Sequence, residues 1–176
     1  MTNPAAPQTV IVASMKLIEI SEENYPEVAR IYGEGLQTGT STFETTIPSW
    51  EKWDAGHHSF GRILAVEKDH YLGWASLSPV SSRCVYGGVA EVSVYVSDSA
   101  RGKGVGEFLL KKLIEISEEN NIWTLQSGIF RDNIASHKLH IKCGFREVGY
   151  KEKVGQLHGV WKDNVLLERR SKVVGI

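Results

Sequence analysis

Cysteine is scarce, proline is sparse, and neither sign of charge dominates this chain of 176 residues. The two cysteines, Cys84 and Cys143, allow one bridge at most and show no metal-ligand spacing. That excludes a disulfide scaffold and a cysteine-based metal centre, and no metal is expected. Reduced thiols inside a cell, hence a cytoplasmic setting, are the simpler expectation. Lysine and arginine number 20 against 21 aspartates and glutamates, for a formal net charge of −1. An obligatory nucleic-acid partner would want a basic excess that is absent. No apolar run is long enough to cross a bilayer, so no membrane partner is expected. Residues 1–15 have no basic leader before the short run Val10–Ala13 and read as a loose extension without a targeting signal. Residues 16–172 carry a mixed pattern and read as one domain, and a 41% hydrophobic chain of this size fills one core.

What is present alternates between strand and helix periods. Leu17–Ile20 reads as an opening strand, and Ser21–Leu36 as a helix with Tyr25, Val28, Ile31, Tyr32 and Leu36 on one face. Gly35–Thr46 is a polar loop, and Pro48-Ser49 opens a second helix bearing Trp50 and Trp53. Arg62–Glu67 and His70–Leu77 form a hairpin around Lys68-Asp69, and Ser78–Gly88 is a second loop. His57-His58 reads as an exposed helix end. Glu91–Val96 alternates strictly, Val105–Asn120 is the clearest helix, and Ile122–Ile129 is a strand. Asp132 or Asn133 caps a short helix that stops at Gly144, and strands over Phe145–Lys153 and Trp161–Arg169 close the chain. The fold class is α/β (α+β): one domain whose central mixed, mostly antiparallel sheet carries helices on both faces.

The most informative stretch is Arg101-Gly102-Lys103-Gly104-Val105-Gly106, between the Glu91–Val96 strand and the long helix. Glycines permit left-handed backbone and close approach, and the helix turns its unpaired N–H groups toward the loop. With Arg101 and Lys103 they form an anion cradle suited to a pyrophosphate. No Lys-Ser/Thr pair follows, which excludes a Walker loop, and residues 120–126 lack the acidic ribose partner of a dinucleotide fold. About thirty residues on, Asn133, Ser136, His137 and His140 share one helix face ahead of Cys143-Gly144-Phe145.

Strand, R-x-x-G-x-G, helix, strand and N-x-x-S-x-x-L-x-x-x-x-G-F in this order resemble the acyl-CoA-binding core of the GNAT N-acetyltransferase superfamily. His140, the Ala90–Val96 strand, Ile31-Tyr32 and the closing Val154-Gly155, Gly159, Trp161, Asp163 pattern resemble its phosphinothricin and methionine sulfoximine acetyltransferase branch. The resemblance runs from Leu17 to Arg169. It implies acetyl-CoA as co-substrate, held by Val94, Tyr95 and Val96 of the strand, by Arg101, Gly102, Lys103, Gly104, Val105 and Gly106 of the turn, and by Asn133 and Ser136.

It also implies a small primary amine as acceptor and a homodimer, with the closing hairpin as a plausible contact. Acetyl transfer requires a neutral amine, so Glu91 is expected to take the ammonium proton. A backbone N–H at Val94 or Tyr95 would stabilise the oxyanion, and His140 would protonate the leaving sulfur. For an amino-acid acceptor, Arg83 and Tyr86 are the candidates for its carboxylate. A surface arginine with no specific task reads equally well at Arg83, and Val89 stands where the branch usually has threonine. Phe43 and Glu44 lie on the substrate loop, where Glu44 either binds the amine or caps the next turn. Acetylation of a protein terminus or lysine, and a non-catalytic acyl-CoA sensor, remain the alternatives.

Overall fold

A computed structural model describes residues 14–176. The extension expected over 1–15 falls almost entirely outside the described residues. Seven strands form one sheet in the order β1-β2-β3-β4-β5-β7-β6. The elements are β1 (Lys16–Glu19), α1 (Tyr25–Gln37), α2 (Trp50–Gly56), β2 (Ile63–Glu67), β3 (His70–Pro79) and β4 (Val89–Val96). There follow α3 (Val105–Glu119), β5 (Thr124–Phe130), α4 (Ile134–Lys142), β6 (Arg146–Leu157) and β7 (Val160–Arg170). Every pairing is antiparallel except β4 with β5.

Strand alternation divides the core in two. Ala90 and Val92 of β4 face α3, where they bury against Leu109, Leu110 and Leu113 together with Leu125, Ile129 and Leu167. On the other face, Trp74 and Leu64 meet Val28, Ile31 and Tyr32 of α1 and Trp53 of α2. Leu109, Leu110 and Leu113 are fully buried at i, i+1 and i+4, which sets the buried stripe of α3. The α1 face is an aromatic block. Trp74 stacks on Tyr95 with centroids 4.7 Å apart, and Tyr32 meets Tyr95 edge-on at 4.8 Å.

Several boundaries differ from expectation for local reasons. Helix α1 starts at Tyr25, not Ser21, because Asn24 accepts from Ser21 N–H and donates to Glu19 O, holding residues 21–24 as a turn. Strand β3 runs on to Pro79, paired with Ala90, into the expected loop. Trp123 and Thr124 both donate to Gly88 O, so β5 begins two residues later than the sequence suggests. β6 extends past Lys153 to Leu157 because two irregularities, at Glu147/Gly149 and Lys151/Gly155, absorb extra residues without ending the pairing. His57 and His58 are half-buried, not exposed: His57 stacks on Trp53 at 4.1 Å and His58 on Phe60 at 4.8 Å.

Among the described residues, no helix is long and apolar enough to cross a membrane, and no cluster of three or more His, Cys, Asp or Glu could hold a metal. Gly73, opposite Val96, shows how closely β3 supports β4. A Cβ there would lie 2.7 Å from Tyr95 O, with Leu109 and Val105 behind it. Gly73→Ala is therefore expected to destabilise the fold by about 1–3 kcal/mol, read as a lower urea midpoint at unchanged slope.

Candidate active site

The parallel ladder between β4 and β5 is short. It pairs Val89 with Thr124, Ala90 with Leu125 and Glu91 with Gln126, and then ends although both strands continue. Ser97 N–H donates to Leu72 O, and antiparallel alternation then aims the N–H groups of Ser93 and Tyr95 at β3. Those of Val92, Val94 and Val96 point toward β5. Beyond the last pair, the Val94 N–H faces an open slot between the two strands. Of the two donors named from sequence, Val94 is the one free to serve, because the Tyr95 N–H is turned away.

Two cavities meet at this slot. One, of about 730 Å³, is lined by Glu91, Ser93, Gln126, Gly128, Asn164 and His140, among others, with Phe43 and Glu44 at its rim. The other, of about 670 Å³, runs along the start of α3 and α4, with Arg101, Gly102, Gly104, Val105 and Gly106 in its wall. Val94, Tyr95, Asn133 and Ser136 line both. Val96 lines the second.

The three glycines of the turn do different jobs. Gly102 and Gly104 have φ of 74° and 81°, and a Cβ at either would meet nothing within 4 Å. They supply left-handed backbone facing open space, with Gly104 as the cap residue of α3. At Gly106 the constraint is packing, since a Cβ would lie 3.0 Å from Leu139 of α4. The free N–H groups of the first turn of α3 thus face the second cavity. Arg101 borders it while paired with Asp98 at 2.7 Å. Lys103 does not: its Nζ donates to Ser99 O at 2.8 Å, on the side of the turn that faces β3.

Helix α4 is anchored by Asn133, whose side chain accepts from Ser136 N–H at 3.2 Å. One turn on, His140 is 3% exposed. Its Nδ1 lies 2.8 Å from Ser136 O, and a carbonyl can only accept, so Nδ1 carries the proton. Nε2 is then a bare acceptor, buried and without a partner. Burial holds this histidine below its ordinary pKa, against the raising effect of the Ser136 carbonyl. At rest, therefore, His140 carries no proton on Nε2, and to protonate sulfur it must first accept one there. His137 takes another direction, pairing with Glu147, and lies outside the lining of both cavities.

Glu91 stands at the end of the ladder, open to the cavity yet walled by protein, and desolvation raises its pKa. The loop after α1 roofs the space. Thr38 and Ser41 hydroxyls donate to Gly35 O, and the Phe43 ring meets Phe130 edge-on at 4.6 Å and presses on Gly155. Glu44 lines the cavity, and its N–H donates to Thr42 Oγ1. Arg83 and Tyr86 are exposed, pair as a cation over a ring at 5.6 Å, and do not line either cavity. Gln126, Lys151, Asn164 and Glu168 line the first cavity but were not singled out from sequence, and Tyr32, read there only as a helix-face residue, lines it too. On β5 the one local signal is Thr124 and Gln126 flanking Leu125, which hints at a polar face.

Two titrations check these assignments. Long-range ¹H–¹⁵N spectra should show His140 neutral and protonated on Nδ1 at pH 7; an imidazolium there would contradict the geometry. The Glu91 carboxyl should titrate above the usual glutamate range, so it gains its charge later than other glutamates as pH rises.

The sequence profile of the Acetyltransferase (GNAT) family matches residues 17–145. A phosphinothricin N-acetyltransferase from Alcaligenes faecalis is 31% identical over 96% of this chain and 90% of its own. The L-methionine sulfoximine/L-methionine sulfone acetyltransferase of Pseudomonas paraeruginosa is 30% identical over 81% of this chain and 87% of its own. A crystal structure of a phosphinothricin acetyltransferase from Sinorhizobium meliloti, in complex with AcCoA, superposes with a TM-score of 0.83. It shares 26% identity, over 92% of this chain and 91% of that one. The chain thus belongs to the GNAT family of acetyltransferases.

Proposed function

We propose that this protein transfers the acetyl group of acetyl-CoA to the primary amine of a small amino-acid-like acceptor, of the phosphinothricin or methionine sulfoximine type. The observation that carries the reading is the junction of the two cavities at Val94. One side offers an anion cradle and a groove, the other a carboxylate with a raised pKa. Acetyl-CoA, when bound, supplies the thioester carbon that the amine attacks.

The chain's own residues divide the remaining work. The N–H groups at Gly102–Gly106 and the Arg101 guanidinium hold the pyrophosphate, and the groove beside Asn133 and Ser136 takes the pantetheine arm. Glu91 receives the proton of the incoming ammonium, which leaves the amine lone pair free. Val94 N–H donates to the carbonyl oxygen as it gains charge. Formation of the C–N bond leaves a second proton on nitrogen, and His140 Nε2, bare at rest, is the acceptor suited to it. The same imidazolium then returns that proton to sulfur as the C–S bond breaks, so His140 ends as it began. This order keeps histidine in the reaction while respecting its neutral resting state.

A homodimer belongs to the same reading. The edge strand β6 and its partner β7 expose Val148, Tyr150, Val154, Val160 and Trp161, an apolar set that a second copy would cover. A cytoplasmic setting also belongs to it, because acetyl-CoA is an intracellular co-substrate. Sedimentation should give twice the chain mass, and a monomer at micromolar concentration would contradict the dimer.

Thiol release from acetyl-CoA, screened over amino acids, methionine sulfoximine, phosphinothricin, polyamines and short peptides, tests the substrate class. Turnover is expected with the amino-acid analogues, whereas turnover confined to peptides would place the activity on protein termini. Glu91→Gln should lower kcat about a hundredfold or more while CoA affinity holds; unchanged turnover would remove Glu91 from the mechanism. Gly104→Val, which forces a β-branched residue to a φ of 81°, should weaken CoA binding about tenfold or more.

A further inference from the structure

The cavity that holds Glu91 has an unusual charge pattern. Glu44, Glu91 and Glu168 line it, and Lys151 is the one lysine or arginine that does. Arg146 engages Glu168 at 2.5 Å. Lys151 takes part in none of the ion pairs found among the described residues. It stands on β6 directly opposite Asn164 of β7, so their side chains share the cavity face. Asn164 has a buried Oδ1 with no hydrogen-bond partner. A cation without an ion-pair partner therefore sits at one end of a cavity whose other charged side chains are the carboxylates of Glu44, Glu91 and Glu168, and the Asn164 Oδ1 beside it is an acceptor suited to an ammonium.

From these observations we infer that Lys151 anchors an anionic group at the far end of the acceptor's side chain. The inference rests on the acceptor reading given above and narrows it. The reason is distance. Glu91 pairs with Gln126, while Lys151 reaches β5 through Asn164 at Phe130, four residues further along. Three strand spacings across and four residues along put the Glu91 and Lys151 Cα atoms about 19 Å apart. A glutamate and a lysine reaching inward leave room for a short extended amino acid. They do not leave an amine and its adjacent α-carboxylate close enough to touch both. Gly128, paired with Leu166, lines the cavity between the two ends, so β5 puts no side chain in that stretch. The class selected is an amino acid with a second anion remote from its amine, such as a terminal phosphinate or carboxylate.

Phosphinothricin and methionine sulfoximine form a matched probe pair, because their tails have nearly the same shape and only the phosphinate is charged. The experiment measures kcat/KM for both acceptors in the wild-type enzyme, Lys151→Met and Lys151→Arg. Lys151→Met is expected to lower the phosphinothricin-to-sulfoximine ratio about tenfold, through KM, with Lys151→Arg restoring most of it. A ratio that Lys151→Met leaves unmoved overturns the proposal, whether both acceptors fall together or neither falls. Calorimetric binding of each acceptor to the CoA-bound protein reads the same ratio without turnover. It thereby separates an error about Lys151 from an error about the acetyl acceptor.

Discussion

The end of the β4–β5 ladder is the constraint on which the site depends. A parallel pair that stopped nowhere would bury the Val94 N–H in a hydrogen bond and close the sheet. Because pairing ends at Glu91 and Gln126, a main-chain donor and a carboxylate are left at the mouth of one slot. An unpaired backbone donor inside a protein is costly, and such costs persist where a ligand satisfies the group. The slot is therefore the line of the sheet with the fewest paired residues and the place where a ligand would find an unpaired donor.

What keeps the slot open is the stiffness of its flanks. On one side β4 is locked to β3 from Ala90 to Val96, and Tyr95 is clamped by Trp74, Tyr32 and the close approach of Gly35. On the other side β5 is held by seven antiparallel pairs with β7. Helix α4 crosses the opening, fixed at its start by the Asn133 cap and against α3 by the fit of Leu139 onto Gly106. With both walls rigid, acceptor and thioester can meet without the protein reorganising at the moment of reaction.

The sequence made much of this legible, and unevenly. The glycine turn and the capped helix were readable because each depends on local chemistry: positive φ at Gly102, Gly104 and Gly144, and a side-chain cap at Asn133. Glu91 could be placed because strict alternation fixes its face of β4. Lys151 and Asn164 were invisible because β6 carries two irregularities, so no count along the chain yields which residue of β6 opposes which of β7. Arg83 reads well by position and stands outside the cavity, because its short turn folds the guanidinium over Tyr86. The tautomer of His140 likewise needed the carbonyl of Ser136 in view.

The direct test of the central claim is the behaviour of one amide. Backbone ¹⁵N spectra with hydrogen exchange, taken before and after adding acetyl-CoA, compare Val94 with its neighbours Ser93 and Tyr95. An open slot predicts that Val94 exchanges faster than both in the free protein, then shifts and becomes protected in the complex. A Val94 amide already protected to the level of Tyr95, and unmoved by acetyl-CoA, would mean that the two strands are closed and that the carbonyl is held elsewhere.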